Sequence, residues 1–315
     1  MGCEFSPEEQ PDSPYNQCRI TITNLHSKPI AVFPLKQPQI MACTEKHFIV
    51  LNLEEKIDEV ACPFSSEITC AIQINNPELK IIAGKESGEI TILHFRKKTE
   101  KYLLGHSSKI TFLHMLRNGQ LCSGSSDGDV FIWDLTTKMD ELNFSASNEA
   151  ITCLCELKDG GLVVVSKEDT GKLFNIKLQT IEIIWDIHGA NYLIQIKDGR
   201  LVFGSDGDII VSKVEKLFDV SKYGKKDRKY SKTHQPDFVI QKAHEGMISM
   251  FIQLKSGDIA SAGNDGLIKI WSIKNEFICI KELEGHNSRI NYLSEIPNYR
   301  LLSCSDDGWV KLWSK

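Results

Sequence analysis

Residues 105–135 read GHSSKITFLHMLRNGQLCSGSSDGDVFIWDL, and two further stretches align with them without a gap: AHEGMISMFIQLKSGDIASAGNDGLIKIWSI from Ala243 and GHNSRINYLSEIPNYRLLSCSDDGWVKLWSK from Gly285. In each copy a histidine (His106, His244, His286) lies 22 residues before a turn glycine (Gly128, Gly266, Gly308). A tryptophan (Trp133, Trp271, Trp313) follows that glycine by five. Recurrence at this scale marks a repeat architecture.

Four weaker copies share the register. Their histidine slot holds His26, Phe64, Ser147 and His188, and Ile30, Ile68, Ile151 and Tyr192 follow four residues later. The seven slots are spaced by 38, 42, 41, 41, 56 and 42 residues, so the fifth unit carries an insertion, placed at 213–237. Short β-branched runs alternate inside each unit, punctuated by Gly, Asp, Asn and Ser. They predict antiparallel strands joined by tight turns: Lys80–Ala83, Gln120–Ser123 and Asp258–Ser261 lead in, and Glu89–Leu93, Asp129–Trp133 and Leu267–Trp271 lead out. Such a small sheet cannot bury both faces alone, so neighbours must stack on it.

The Gly105-His106 and Trp133-Asp134 pairs, with their echoes around His244/Trp271 and His286/Trp313, resemble the WD-repeat (WD40-type) β-propeller family over about residues 17–315. The resemblance implies an all-β, seven-bladed propeller of four-stranded antiparallel blades. The chain ends two residues after Trp313, so strand-like residues 17–25 are expected to close the last blade. The family's hydrogen-bonded tetrad maps onto His106, Ser123, Asp127, Trp133; His244, Ser261, Asp265, Trp271; and His286, Ser303, Asp307, Trp313. The Asp is expected to accept from one imidazole nitrogen, while Ser bridges the other nitrogen to the indole. These sets look like catalytic triads, and Gly124-Ser125-Ser126-Asp127-Gly128 matches the G-x-S-x-G elbow of hydrolases. An elbow, however, joins a strand to a helix. Here the segment joins two predicted strands, so the reading is structural and no catalytic residue is assigned.

Composition agrees with a folded soluble chain: 315 residues, net charge −5, 41% hydrophobic, 25% charged and 8% aromatic. The acidic balance gives no overall pull toward nucleic acid. No apolar run approaches the roughly 20 residues of a membrane helix. The first twenty residues carry four acids and no apolar core, unlike a secretory signal. Ten cysteines (Cys3, Cys18, Cys43, Cys62, Cys70, Cys122, Cys153, Cys155, Cys279, Cys304) form no CxxC pair and sit mostly in apolar runs. They read as free thiols in the cytoplasm, with no metal and no cofactor implied. Asn143-Phe144-Ser145 matches a glycosylation acceptor, which has no weight without a secretory signal.

Two features lie outside the repeat. Residues 1–16 form a polar tail whose Met1-Gly2-Cys3-Glu4-Phe5-Ser6 fits the N-myristoylation pattern, with Cys3 a palmitoylation candidate. Within the insertion, residues 216–232 hold seven Lys or Arg, among them Lys222, Lys225, Lys226, Arg228, Lys229 and Lys232, against two Asp. An acyl chain and a basic loop on one face make a two-signal membrane anchor. The opposite face is expected to bind other proteins through Ser107, Lys109, Ser126, Glu245, Met247, Asn264, Asn287, Arg289 and Asp306, with Lys109 and Arg289 suited to an acidic or phosphorylated peptide. The functional expectation is a non-catalytic scaffold, monomeric within a larger complex. Alternatives are a ubiquitin-ligase substrate receptor, a G-protein β-like subunit and a trafficking adaptor. A propeller hydrolase and an RNA-binding protein rank below these.

Overall fold

In a computed structural model, 28 strands form seven four-stranded sheets. The structure describes residues 17–314 except 23–24, 26, 37, 53–57, 64–65, 75–77, 95–96, 98, 138, 168–169, 177–179, 187–189, 214–235, 275 and 298–299. The slots His26, Phe64 and His188, the lipidation candidates Gly2 and Cys3, and the basic residues Lys222 to Lys232 lie outside the described residues.

Each blade is an antiparallel meander. Blade three shows the plan: Ile110–Met115, Leu121–Ser125, Asp129–Asp134 and Met139–Ser145, paired in that order. The blades begin their inner strands at Pro29, Ile68, Ile110, Ile151, Leu193, Ile248 and Ile290. The tight turn between second and third strands demands a left-handed residue, supplied in blade three by Gly128 at φ 89°. A Cβ there would overlap the Ser147 carbonyl oxygen of the next entry turn, so glycine also permits the blades to approach.

Apolar burial occurs between blades. The seven hydrophobic clusters each draw on two neighbours; one joins Ile82, Ile90 and Ile92 of blade two to Ile110, Leu121 and Trp133 of blade three. Small residues on the second strands seat the next blade's leading isoleucine. An added Cβ would meet Ile110 at 2.5 Å from Gly84, Ile151 at 2.6 Å from Gly124, and Ile248 at 2.8 Å from Gly204.

Two polar devices repeat around the ring. Six inner strands carry a one-residue register shift that skips Ile30, Thr69, Thr111, Thr152, Ser249 or Asn291. Where the skipped residue has a hydroxyl, it donates to its own second strand: Thr111 to the Gly124 carbonyl at 3.1 Å and Ser249 to Ala262 at 3.1 Å. At the other end of the inner strand a carboxylate or amide oxygen accepts the backbone N–H of the preceding blade's first turn. Glu156 holds Arg117 at 2.7 Å, Gln195 holds Lys158 at 2.7 Å, Gln253 holds Lys197 at 2.8 Å and Glu295 holds Lys255 at 2.8 Å.

The last blade is completed by Gln17–Ile22, which pairs antiparallel with Val310–Ser314, Gln17 opposite Ser314 and Ile22 opposite Val310. Lys311 donates to Thr21 Oγ1 at 3.1 Å across this seam. Removing residues 1–22 uncovers the edge of the last blade, whereas removing 1–16 leaves it paired. The shorter deletion is expected to keep the wild-type denaturant midpoint and the longer to lower it and promote aggregation; equal midpoints would refute the role of the seam. Gly124→Ala is expected to cost about 1–3 kcal/mol by overpacking against Ile151.

Candidate interaction face

The entry turns and the second-to-third-strand turns gather at one end of the ring, here called the upper end. Three blades pin these turns with a polar chain. In blade six the Asp265 carboxylate accepts from His244 Nδ1 at 3.0 Å, the Ser261 hydroxyl donates to Nε2 at 2.7 Å, and Trp271 Nε1 donates to Ser261 Oγ at 2.8 Å. Blade seven repeats this with His286, Asp307 (2.8 Å), Ser303 (2.7 Å) and Trp313 (2.8 Å). Each carboxylate also takes a backbone N–H of the entry turn, Glu245 at 3.0 Å or Asn287 at 3.1 Å. The Asp thereby ties one loop to the other. Burial pushes the Asp265 and Asp307 carboxyls up, but the histidine and backbone donors outweigh it and hold both below the usual range.

Blade three departs from the expectation. Ser123 bridges His106 Nε2 (2.7 Å) and Trp133 (2.8 Å), yet His106 Nδ1 is buried without a partner. Asp127 turns instead to hydroxyls: Ser107 donates at 3.0 Å and Ser125 donates more closely still. Ser107, Ser108 and Ser125 bond the Asp127 carboxylate, where blade six has Glu245, Gly246 and Gly263; blade seven keeps Ser288 and Ser305, but there the Ser305 hydroxyl donates to the Ser288 carbonyl at 3.0 Å and leaves Asp307 to His286. In blades one, two and four the Ser and Trp positions are apolar: Ala42 with Leu51, Ala83 with Leu93, and Val164 with Phe174. Blade two fills the Ser125 position with Lys85, 3% exposed and paired with Glu89.

The elbow segment Gly124–Gly128 joins two strands, and Ser126 is held through its backbone N–H by the Lys109 carbonyl at 2.8 Å. The same bond recurs from Asn264 to Met247 (2.9 Å) and from Asp306 to Arg289 (2.9 Å). Six of the nine face residues are therefore three equivalent turn pairs. The sequence reading missed the companion pairs Glu45 with Lys28, Glu86 with Glu67 and Lys167 with Ala150, although counting the register onward from each slot reaches them. Of these turn residues, Lys28, Glu45, Glu67, Glu86, Lys109 and Arg289 line the axial channel, a cavity of about 750 Å³. Phe33, Phe112, Tyr192 and Tyr292 stand deeper, and burial pushes both tyrosine hydroxyls up. Cys70 also lines it, its thiol pushed up to about 12 by burial and so held un-ionised.

Charge on the rim is uneven. Asp306 reaches into blade one to meet Lys28 at 2.9 Å, and Glu86 reaches into blade three to meet Lys109 at 2.9 Å. Arg289 is exposed, and no described side chain bonds its guanidinium. Beside it in blade six, Met247 is 41% exposed. Glu245, Asn264 and Asn287 are also exposed. Among the described residues no group of three or more His, Cys, Asp or Glu is placed to hold a metal ion.

The model of the family described as WD domain, G-beta repeat matches residues 97–134 and 277–314. The p21-activated protein kinase-interacting protein 1-like of Danio rerio is 25% identical over 74% of this chain and 60% of its own length, so the chain spans about three fifths of that relative. The Ubiquitin homeostasis protein lub1 of Schizosaccharomyces pombe is 38% identical over 22% of this chain and 10% of its own. Among solved structures, the WD40 β-propeller domain of Doa1 superposes with a TM-score of 0.79 at 16% identity, covering 96% of this chain and 98% of that one.

The unpartnered Nδ1 of His106 generates a pH prediction. Burial depresses it to about 4, against partial opposition from Asp127, whereas in blade seven Asp307 opposes the same burial through a direct bond to His286. The unfolded chain protonates its histidines near 6.5. Stability is therefore complete above that pH and declines as pH falls from 6.5 toward 4, by up to about 3 kcal/mol from His106 alone. Urea midpoints measured across that window should fall less steeply for His106→Gln than for His286→Gln; parallel slopes for both variants and wild type would show that His106 is not the acid-sensitive group.

Proposed function

Since this chain is a WD-repeat protein with its turn residues paired around one mouth, we propose that it is a non-catalytic interaction scaffold that receives another protein on the upper rim. The observation that carries this is the rim itself: paired turns, locked by backbone bonds, present side chains from neighbouring blades at fixed spacing. The names of the relatives, a kinase-interacting protein and a ubiquitin homeostasis protein, favour a protein as the ligand.

Within the rim, Arg289 is an open cation and Met247 an apolar anchor in the neighbouring blade, which suits an acidic or phosphorylated segment carrying one apolar side chain. Lys109 is already paired with Glu86 and contributes less. Binding of acidic and phosphorylated peptide arrays to the folded full chain is expected to drop at least tenfold for Arg289→Glu and by a smaller factor for Lys109→Glu, in line with charge-assisted contacts of about 1.5–3 kcal/mol. Indifference to Arg289→Glu would remove this choice of site. The short lub1 match favours ubiquitin-linked recognition as a second reading, tested by capture on immobilised ubiquitin.

The chain is also proposed to be cytoplasmic and tethered by acylation at Gly2. Cys43, Cys70, Cys122, Cys153, Cys155 and Cys304 are free thiols, which suits a reducing compartment. Gln17 pairs with Ser314 at the lower end of the ring, away from the rim, so a tether there leaves the rim facing outward. Gly2→Ala is expected to move the protein from the membrane to the soluble fraction of cells; wild type that is already wholly soluble removes the tether.

A further inference from the structure

Six large apolar side chains are exposed among the described residues, and three of them, Phe238, Val239 and Ile278, begin the outer strands of blades five and six. Phe238 pairs with Val211, near Lys213 at the lower end of blade five, and Ile278 pairs with Ser272 at the lower end of blade six. The exposures are 37%, 45% and 56%.

The backbone beside Ile278 is held in an unusual shape. Glu276 and Phe277 have φ of 53° and 62°, a left-handed region that non-glycine residues enter only at a cost in backbone strain. What holds them is packing: Phe277 is 3% exposed, with the Arg200 guanidinium 4.9 Å above its ring and Phe238 at 5.9 Å. Phe277 turns inward, and Ile278 is left outward.

Cations lie at the same lower end of these two blades. Lys197 and Lys255 occupy the first turns of blades five and six, Lys213 ends the third strand of blade five, and Lys274 lies in the turn before Phe277; all four are exposed. The acids nearby are largely engaged: Asp198 by Arg200 at 2.6 Å, Asp237 by the Lys213 N–H at 2.9 Å, and Asp258 by Ser256 at 2.8 Å, with Glu276 exposed.

We infer that the lower edge of blades five and six is a membrane-contact patch, in which Phe238, Val239 and Ile278 enter the interfacial zone of an anionic bilayer while Lys197, Lys213, Lys255 and Lys274 meet its acidic headgroups. Apolar side chains ringed by lysine are the composition that binds such surfaces, where burial and charge attraction add. The patch rests on the tether reading for its orientation, because the N-terminal strand begins at the same lower end. It does not require the acyl chain, which keeps the two separable.

The test uses the unacylated full chain with vesicles of phosphatidylcholine, with and without phosphatidylserine. Binding is expected only with phosphatidylserine, to weaken with salt, and to fall about fivefold for each cation removed in Lys197→Glu/Lys274→Glu. Val239→Glu/Ile278→Glu is expected to lose at least tenfold, and Arg289→Glu to bind as wild type, all with unchanged thermal midpoints. Binding that ignores phosphatidylserine, folded patch variants that bind like wild type, displacement by RNA in preference to vesicles, or self-association abolished by Val239→Glu/Ile278→Glu would overturn the proposal. Failure here with a membrane fraction still lost on Gly2→Ala in cells would sink the patch and leave the tether; the reverse pattern would sink the tether alone.

Discussion

A four-stranded blade of this size has two apolar faces and no interior of its own, so every hydrophobic cluster among the described residues belongs to a junction between blades. Most other features serve that constraint. Glycines at 84, 124 and 204 let the next isoleucine seat against the sheet, the inner-strand bulges turn hydroxyls onto carbonyls, and Glu or Gln at the strand end grips the preceding turn. A ring held this way has no spare junction. The seam between Gln17–Ile22 and Val310–Ser314 is therefore as necessary as any covalently continuous one.

The polar tetrads sit on this scaffold as fasteners between loops and sheet. Their resemblance to a hydrolase triad dissolves in geometry: the serine that meets the imidazole is Ser123, Ser261 or Ser303, buried beneath an indole, and the segment resembling an elbow joins strand to strand. Blades one, two and four pack Leu or Phe where the indole would be, which shows that apolar contact can replace the hydrogen-bonded chain at that place in the sheet.

Spacing made the ring, its seven units and its closure readable, because the periods of turn glycine, histidine and tryptophan follow directly from strand geometry. The tetrad in blade three escapes such reading because a carboxylate's choice among donors depends on which hydroxyls surround it in space; Ser107 and Ser125 flank Asp127 only after folding. Ion pairs across blades, such as Asp306 with Lys28, join residues far apart in the chain and leave no local pattern. The apolar patch at Phe238 and Ile278 is hidden for a related reason. Outer strands alternate like inner ones, and only the assembled ring shows which of their side chains remain uncovered.

The pairing of Gln17–Ile22 with Val310–Ser314 also bears on synthesis. The strand Gln17–Ile22 is made some 290 residues before its partner, so throughout that interval one sheet edge has no mate. A nascent chain of this topology spends that interval as an open arc whose bare edge is exposed to wrong partners until the circle shuts.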